Sequence, residues 1–163
     1  MNHSESLTRQ ADIASRLADK ASSMFMAALA IFMRFLHIAS AITLVGGAAA
    51  WRFAGAPAAE SVNGETRSRV ENAFAAAWKP FAIAGIVGIL ISGIFNFLRK
   101  TGLTPAYHAI FGIKVLLALH VFAVLILAAR PDNSKRTRQL TGVVISGVLI
   151  VALSAVLRWL GQS

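Results

Sequence analysis

The sequence predicts an all-α integral membrane protein, a four-helix bundle with an amphipathic N-terminal helix. Hydrophobic residues make up 56% of its 163 residues and charged residues only 14%, well below the roughly 25% of a soluble domain. Four apolar runs, at about 30–54, 80–98, 108–129 and 139–160, are each close to the ~20 residues that a helix needs to cross a bilayer. They occupy most of residues 26–163, so we expect one transmembrane domain and no separate soluble domain.

The composition also restricts the chemistry and the partners. The chain has no cysteine, which excludes disulfides, thiolate metal sites and cysteine nucleophiles. A net charge of +9 would suggest nucleic acid in a soluble protein, but here the basic residues lie in loops and at helix ends, where they meet anionic lipid head groups. We therefore expect the lipid bilayer as partner and no nucleic acid, with a bacterial-type inner (plasma) membrane, crossed several times, as the location.

Residues 1–25 are predicted to form an amphipathic segment ahead of the bundle. Arg9, Asp12, Arg16 and Asp19 alternate in sign on one face of a helix. Such a helix lies on a membrane surface or docks a partner, and a solvated extension is the alternative. The apolar residues at helical spacing on another face are Leu7, Ala11, Ala14, Leu17, Ala18 and Ala21.

The first loop, residues 58–79, contains the turn signal Asn63-Gly64. After it, the spacings of Glu65 to Arg69 and of Arg67 to Glu71 predict ion pairs on a short interfacial helix. Pro80 is predicted in the first turn of the second span. Short basic turns are expected at residues 99–105 and 130–138.

Three ionisable side chains within the predicted spans are the candidates for chemistry. An ionisable group inside a membrane costs several kcal/mol unless it is paired or ligated, so it marks a functional site. The first and third spans run in the same direction, and 1.5 Å per residue puts His37 roughly 9–15 Å, Lys114 roughly 8 Å and His120 roughly 16 Å below the same surface. One histidine from each of two helices is the minimum for holding a haem iron between them. His37 and His120 are therefore the predicted axial ligands of a haem b.

Other residues complete this predicted site. Arg34 shares a helix face with His37, and we expect Arg34 and Lys114 to stabilise negative charge, such as a propionate or an anionic intermediate. Gly85 and Gly88 lie on a stripe of small residues that lets a neighbouring helix or a flat cofactor come close. The alternatives are histidines that only hydrogen-bond a neighbouring helix, and a Lys114 whose ammonium reaches the membrane surface.

Two stretches resemble known membrane families. The stretch from Arg34 to Ala41, followed by Val45-Gly46-Gly47, resembles the first helix of copper-resistance D-like (CopD-like) proteins, and Phe111 to Leu119 resembles their later helix that contains a lysine. The histidine of the first stretch and the lysine of the second form a pairing that is similar to HemJ-type protoporphyrinogen oxidases, which are small haem-associated four-helix proteins. This resemblance implies that His37 and Lys114 are the matched essential positions. In place of the tryptophan that usually precedes the glycine pair, this chain has Leu44-Val45, and the tyrosine-histidine pair of the HemJ group is absent after Arg52.

The leading hypothesis is a haem b-binding protein in electron transfer or porphyrinogen oxidation, a membrane oxidoreductase with an unassigned redox partner. A second hypothesis is copper transport or resistance, with His37 and the soft donors Met24, Met26 and Met33. Met24 and Met26 are two residues apart, however, and face different sides of a helix. A third is a non-catalytic subunit of a larger membrane complex or a homo-oligomer, with the N-terminal helix as the docking arm.

Overall fold

The chain is all-α. The computed structural model describes the backbone of residues 3–100 and 104–160, and the side chains of residues 9, 10, 12–100 and 104–159. Four helices within these ranges are long and apolar enough to cross a membrane, which confirms the predicted multi-pass, four-helix membrane fold. The elements are α1 (His3–Ala50), a π-helical segment (Trp51–Gly55), α2 (Ala56–Glu60), α3 (Gly64–Leu98), α4 (Pro105–Ala128) and α5 (Arg136–Leu160).

The four long helices form two closely packed pairs. Helix α1 packs mainly on α3, and α4 mainly on α5, whereas the α1–α5 and α3–α4 contacts are smaller. This order places α1 and α4 on one diagonal of the bundle. The core contains fully buried Leu44 of α1, Leu125 of α4, and Leu140 and Val143 of α5.

The structure differs from the predicted boundaries at the second span. Helix α1 begins at His3 and continues without a break into the first span, so the N-terminal segment is the start of that helix; the side chains of Leu7 and Ala11, on its predicted apolar face, lie outside the described ones. Helix α3 runs through Pro80 because it is already nucleated upstream, where the Asn63 side chain accepts a 2.9 Å hydrogen bond from the Thr66 backbone N–H. Within the predicted turn 99–105, residues 101–103 lie outside the described residues.

The two predicted ion pairs lie in the first turns of α3. Arg69 Nη2 is 2.6 Å from Glu65 Oε1, and Arg67 Nε is 2.9 Å from Glu71 Oε1. These four-residue spacings stabilise the part of α3 that precedes its apolar run.

Glycines of α3 allow its close approach to α1. A Cβ atom at Gly85 would lie 2.9 Å from both Cγ and Cδ2 of Leu44, and one at Gly88 would collide with Oγ of Ser40. The space beside both glycines is therefore filled by side chains of α1. In the bilayer, where water does not drive helices together, such close packing is a main source of association.

We expect Gly85→Ala to destabilise the bundle by about 1–3 kcal/mol, the usual cost of overpacking, because the neighbouring Leu44 is 1% exposed and has no room to move. Gly112→Ala is the matched control: nothing lies within 4 Å of its added Cβ, and alanine is the better helix former by about 0.5–1 kcal/mol. Unfolding in detergent, followed by circular dichroism, checks both. Equal effects of the two substitutions would contradict this packing.

A buried arginine ties α5 to the ends of α3 and α4. The Arg136 residue is 1% exposed. Its Nε donates to the Ala128 carbonyl at 3.0 Å, and its Nη2 donates to the Arg130 carbonyl at 2.9 Å and to Asn72 Oδ1 at 3.3 Å. Its Nη1 lies 3.6 Å from Glu71 Oε2. One guanidinium thus connects three helices at this end of the bundle.

The connection before α5 is shaped by the same network. Asp132 has a left-handed backbone, with φ of 51°, an uncommon conformation outside glycine. Its backbone N–H donates to Asn72 Oδ1 at 3.0 Å, and its Oδ1 accepts from Asn72 Nδ2 at 2.7 Å. This pair of bonds holds the turn against α3.

Replacing Arg136 by glutamine should destabilise the protein by about 3 kcal/mol, because the carbonyls of Ala128 and Arg130 lose a buried charged donor and each unsatisfied buried acceptor costs about 1–3 kcal/mol. Arg69→Gln is the control, since Arg69 and Glu65 are 78% and 79% exposed and exposed pairs contribute little. Chemical unfolding in detergent measures both free energies. Similar losses for the two variants would show that Arg136 has no special structural role.

Candidate functional site

His37 of α1 faces α3. It is half-buried, and its Nδ1 lies 3.0 Å from Oγ of Ser92, a residue with no exposed surface. The edge of the imidazole rests against Gly93, where an added Cβ would lie 3.7 Å from the ring's Cε1. The α1–α3 contact therefore fixes the position of this histidine.

The hydrogen bonds of Ser92 determine which ring nitrogen carries the proton. Ser92 Oγ lies 2.5 Å from the Gly88 carbonyl oxygen, and a hydroxyl can only donate to a carbonyl. Because a serine has one hydroxyl hydrogen, Oγ must accept the bond from His37. The network thus assigns the proton of a neutral imidazole to Nδ1 and leaves a lone pair on Nε2.

Nε2 of His37 is the available atom of this site. Among the described residues, the side-chain hydrogen bond of His37 is made by Nδ1. Nε2 is not one of the fully buried side-chain atoms that lack a hydrogen-bond partner. A neutral imidazole that donates from one nitrogen and presents a free lone pair on the other is the form in which histidine ligates metals.

Lys114 lies in the same region of the bundle. It is half-buried and follows Tyr107 and Phe111 on the inner stripe of α4, which continues to Val121. The stacking of Phe97 on Phe111 sets the level of α4 against α3. Lys114 lies about 4.5 Å along α4 from Phe111, and Gly93, beside the imidazole, lies about 6 Å along α3 from Phe97. His37 and Lys114 are therefore at a similar level of the bundle, and both are half-buried.

The structure does not bring His120 or Arg34 to this region. Both residues are exposed. His120 follows Lys114 by six residues, which at about 100° per residue turns it about 120° away from the inner stripe. Similar depth therefore does not give His37 and His120 a common face, and Arg34 lies on the outer face of α1.

Aromatic side chains form a contact between α3 and α4 on the N-terminal side of Lys114. The rings of Phe97 and Phe111 stack with centroids 4.6 Å apart, and Tyr107 stacks on Phe111 at 6.2 Å. Lys100 Nζ lies 4.9 Å from the centroid of the Tyr107 ring. This cluster was not predicted, although the four-residue spacing of Tyr107 and Phe111 was the available signal.

The predicted copper donors are spread along α1. Met24 and Met26 are exposed, and on this continuous helix they lie roughly 16–20 Å along the axis from His37. Within the described part of the chain, no group of three His, Cys, Asp or Glu side chains is placed to hold a metal ion. The soft donors therefore do not gather at one point.

A polar cavity of about 340 Å³ lies at the opposite end of the bundle, between the start of α3 and the turn before α5. Its lining includes Glu60, Arg67, Glu71 and Asp132, and it adjoins the Arg136 network, away from the histidines. No family model, curated protein or solved structure matches the chain.

Proposed function

We propose that this chain is a haem b-binding integral membrane protein that serves electron transfer or porphyrinogen oxidation, with His37 as an axial ligand. One observation carries the proposal: Ser92 holds the Nδ1 proton of a half-buried membrane histidine and leaves its Nε2 lone pair free. The resemblance to the CopD-like and HemJ-type families, through the same His37 and Lys114, agrees with it. A bacterial-type plasma membrane is the proposed location.

This region supplies one residue that would hold the haem iron. His37 supplies a neutral nitrogen, and the buried hydroxyl of Ser92 is the outer hydrogen-bond acceptor that ligating histidines usually have. His120 is exposed on another face of α4, so it would not share the iron with His37. When bound, the haem would supply one-electron redox chemistry.

Lys114 has a separate role in this proposal. A half-buried ammonium is poorly screened, so it stabilises nearby negative charge more strongly than a cation in water. Lys114 would therefore hold a carboxylate of the porphyrin or stabilise an anionic intermediate. Arg34 is exposed on the outer face of α1, and its guanidinium is better placed for lipid head groups.

The absorption spectrum of protein expressed with ample haem and purified in detergent tests the proposal. We expect a Soret band for the wild type and for His120→Ala, and its loss in His37→Ala, because among the histidine side chains that the structure describes His37 is the half-buried one and His108 and His120 are exposed. Helical circular dichroism and a single gel-filtration peak must show that each variant is folded. A wild type without a Soret band would overturn the function, and a band lost only in His120→Ala would overturn the ligand assignment.

Ser92→Ala should weaken haem binding by about 10–100-fold, the usual effect of removing an outer hydrogen-bond partner of a metal ligand. Ser146→Ala is the matched control, since Ser146 is also a buried serine, 8% exposed, but lies on α5. Haem titration of depleted protein gives both dissociation constants. Unchanged affinity in Ser92→Ala would remove the support that the hydrogen bond gives to the proposal.

A further inference from the structure

The outer face of α1 carries a continuous apolar stripe with a seven-residue repeat. One series of large residues recurs every seven positions. A second series with the same spacing consists of three alanines followed by a phenylalanine. All of them are exposed. We call this stripe the α1 seam; its members are Ala14, Leu17, Ala21, Met24, Ala28, Ile31, Phe35 and Ile38.

The seam has the pattern of a coiled coil. Ala14, Ala21, Ala28 and Phe35 occupy position a of successive heptads, and the large residues Leu17, Met24, Ile31 and Ile38 occupy position d. The charged residues of the N-terminal part lie off the seam, where Arg16 Nε pairs with Asp12 Oδ2 of the same helix at 3.0 Å. A repeat of 3.5 residues that persists over more than three heptads predicts a left-handed supercoil with another helix.

The N-terminal part of the seam lies beyond the end of the bundle. Arg99, the residue after α3, donates from Nη1 to the Met26 carbonyl at 3.2 Å, so residues of α1 before Met26 project past α3. Lipid would cover the seam inside the bilayer without any need for a partner. Leu17 at 62% exposure lies about 14 Å further out along the helix, where its exposure to water is unfavourable.

We propose that the occupant of the α1 seam is a second copy of this chain, in a parallel two-stranded coiled coil. Two copies inserted in the same orientation project their helices from the same side of the membrane. A two-fold axis then sets each seam residue against its own counterpart. Because the seam carries no charge, identical faces do not repel, and alanine at three a positions lets the helices approach closely.

The exposed area of the seam is sufficient for such a dimer. Leu17, Met24, Ile31, Phe35 and Ile38 are between 52% and 72% exposed. A phenylalanine side chain buries about 150–250 Å² and the aliphatic ones less, so the seam offers on the order of 500 Å² per copy. Two copies would bury roughly 1,000 Å², the minimum for a specific interface. Leu17 and Met24 supply its hydrophobic part, and the members inside the bilayer contribute by close packing. A bilayer surface is a poorer occupant, because α1 is one uninterrupted helix from His3 to Ala50.

The cysteine-free sequence permits a direct test by oxidative cross-linking in native membranes. Leu17→Cys and, one heptad later, Met24→Cys should give a disulfide-linked dimer at least about fivefold more abundant than Asp19→Cys, because only seam positions can bring two Cβ atoms to about 4 Å. Asp19 is the matched control, since it lies near the same level on the opposite face of α1. Equal dimer yields at the three positions, or none at Leu17 and Met24, would overturn the proposal.

The mass of the purified protein in detergent gives a second measurement. The wild type should be a dimer, and Leu17→Glu should shift it to monomer, whereas Ser22→Glu, off the seam, should not. A monomeric wild type, or one that purifies with a different membrane protein on α1, would overturn the second copy as occupant. None of these variants touches His37, so their outcome is independent of haem binding.

Discussion

The hydrogen bond between Nδ1 of His37 and Oγ of Ser92 connects the packing of the bundle to its chemistry. A polar group inside a bilayer must find its partner within the protein, and an unpartnered one costs free energy. The Ser92 hydroxyl donates its hydrogen bond to the Gly88 carbonyl, so Nδ1 of His37 must be the donor to Ser92 Oγ. The bond exists because Gly85 and Gly88 let α3 lie close to α1. The same close packing therefore orients the imidazole and frees its Nε2.

The two ends of the bundle handle their polar groups differently. At the end that contains Arg136, the guanidinium, Asn72 and Asp132 bond mainly to one another and to backbone carbonyls, as buried polar groups generally must. The region of His37 and Lys114 has two half-buried groups of which only the Nδ1 side of the histidine has a partner among the described residues. The Arg136 network thus ties α3, α4 and α5 together, although Nη1 of Arg136 has no hydrogen-bond partner, while the half-buried His37 and Lys114 lie toward the other end.

The spans could be predicted because the bilayer demands a length and an apolar composition that a sequence displays directly. The rotation of each helix could not. Helix α4 is apolar on nearly all sides, so no polar face marks which residues point inward. The sequence therefore predicted how deep His120 lies in the membrane but not which way its side chain faces. Ser92 was visible only as a small residue on a stripe, since its importance depends on the histidine that α1 brings beside it. Pro80 suggested a helix start because proline is common in a first helical turn. The true start, capped by Asn63, lies 17 residues earlier.

Helix α1 uses different faces for its two proposed roles. At 100° per residue, Ile38 points well away from its neighbour His37, and the structure leaves Ile38 exposed while His37 packs against Ser92. A second helix on the outer seam would therefore leave the face of α1 that contacts Ser92 and Gly93 to α3. The exposed guanidinium of Arg34 lies beside the seam and not on it, so it does not oppose this contact. Both faces belong to one uninterrupted helix. Pairing of two copies through its N-terminal part would therefore also set the position of His37 in one copy relative to His37 in the other.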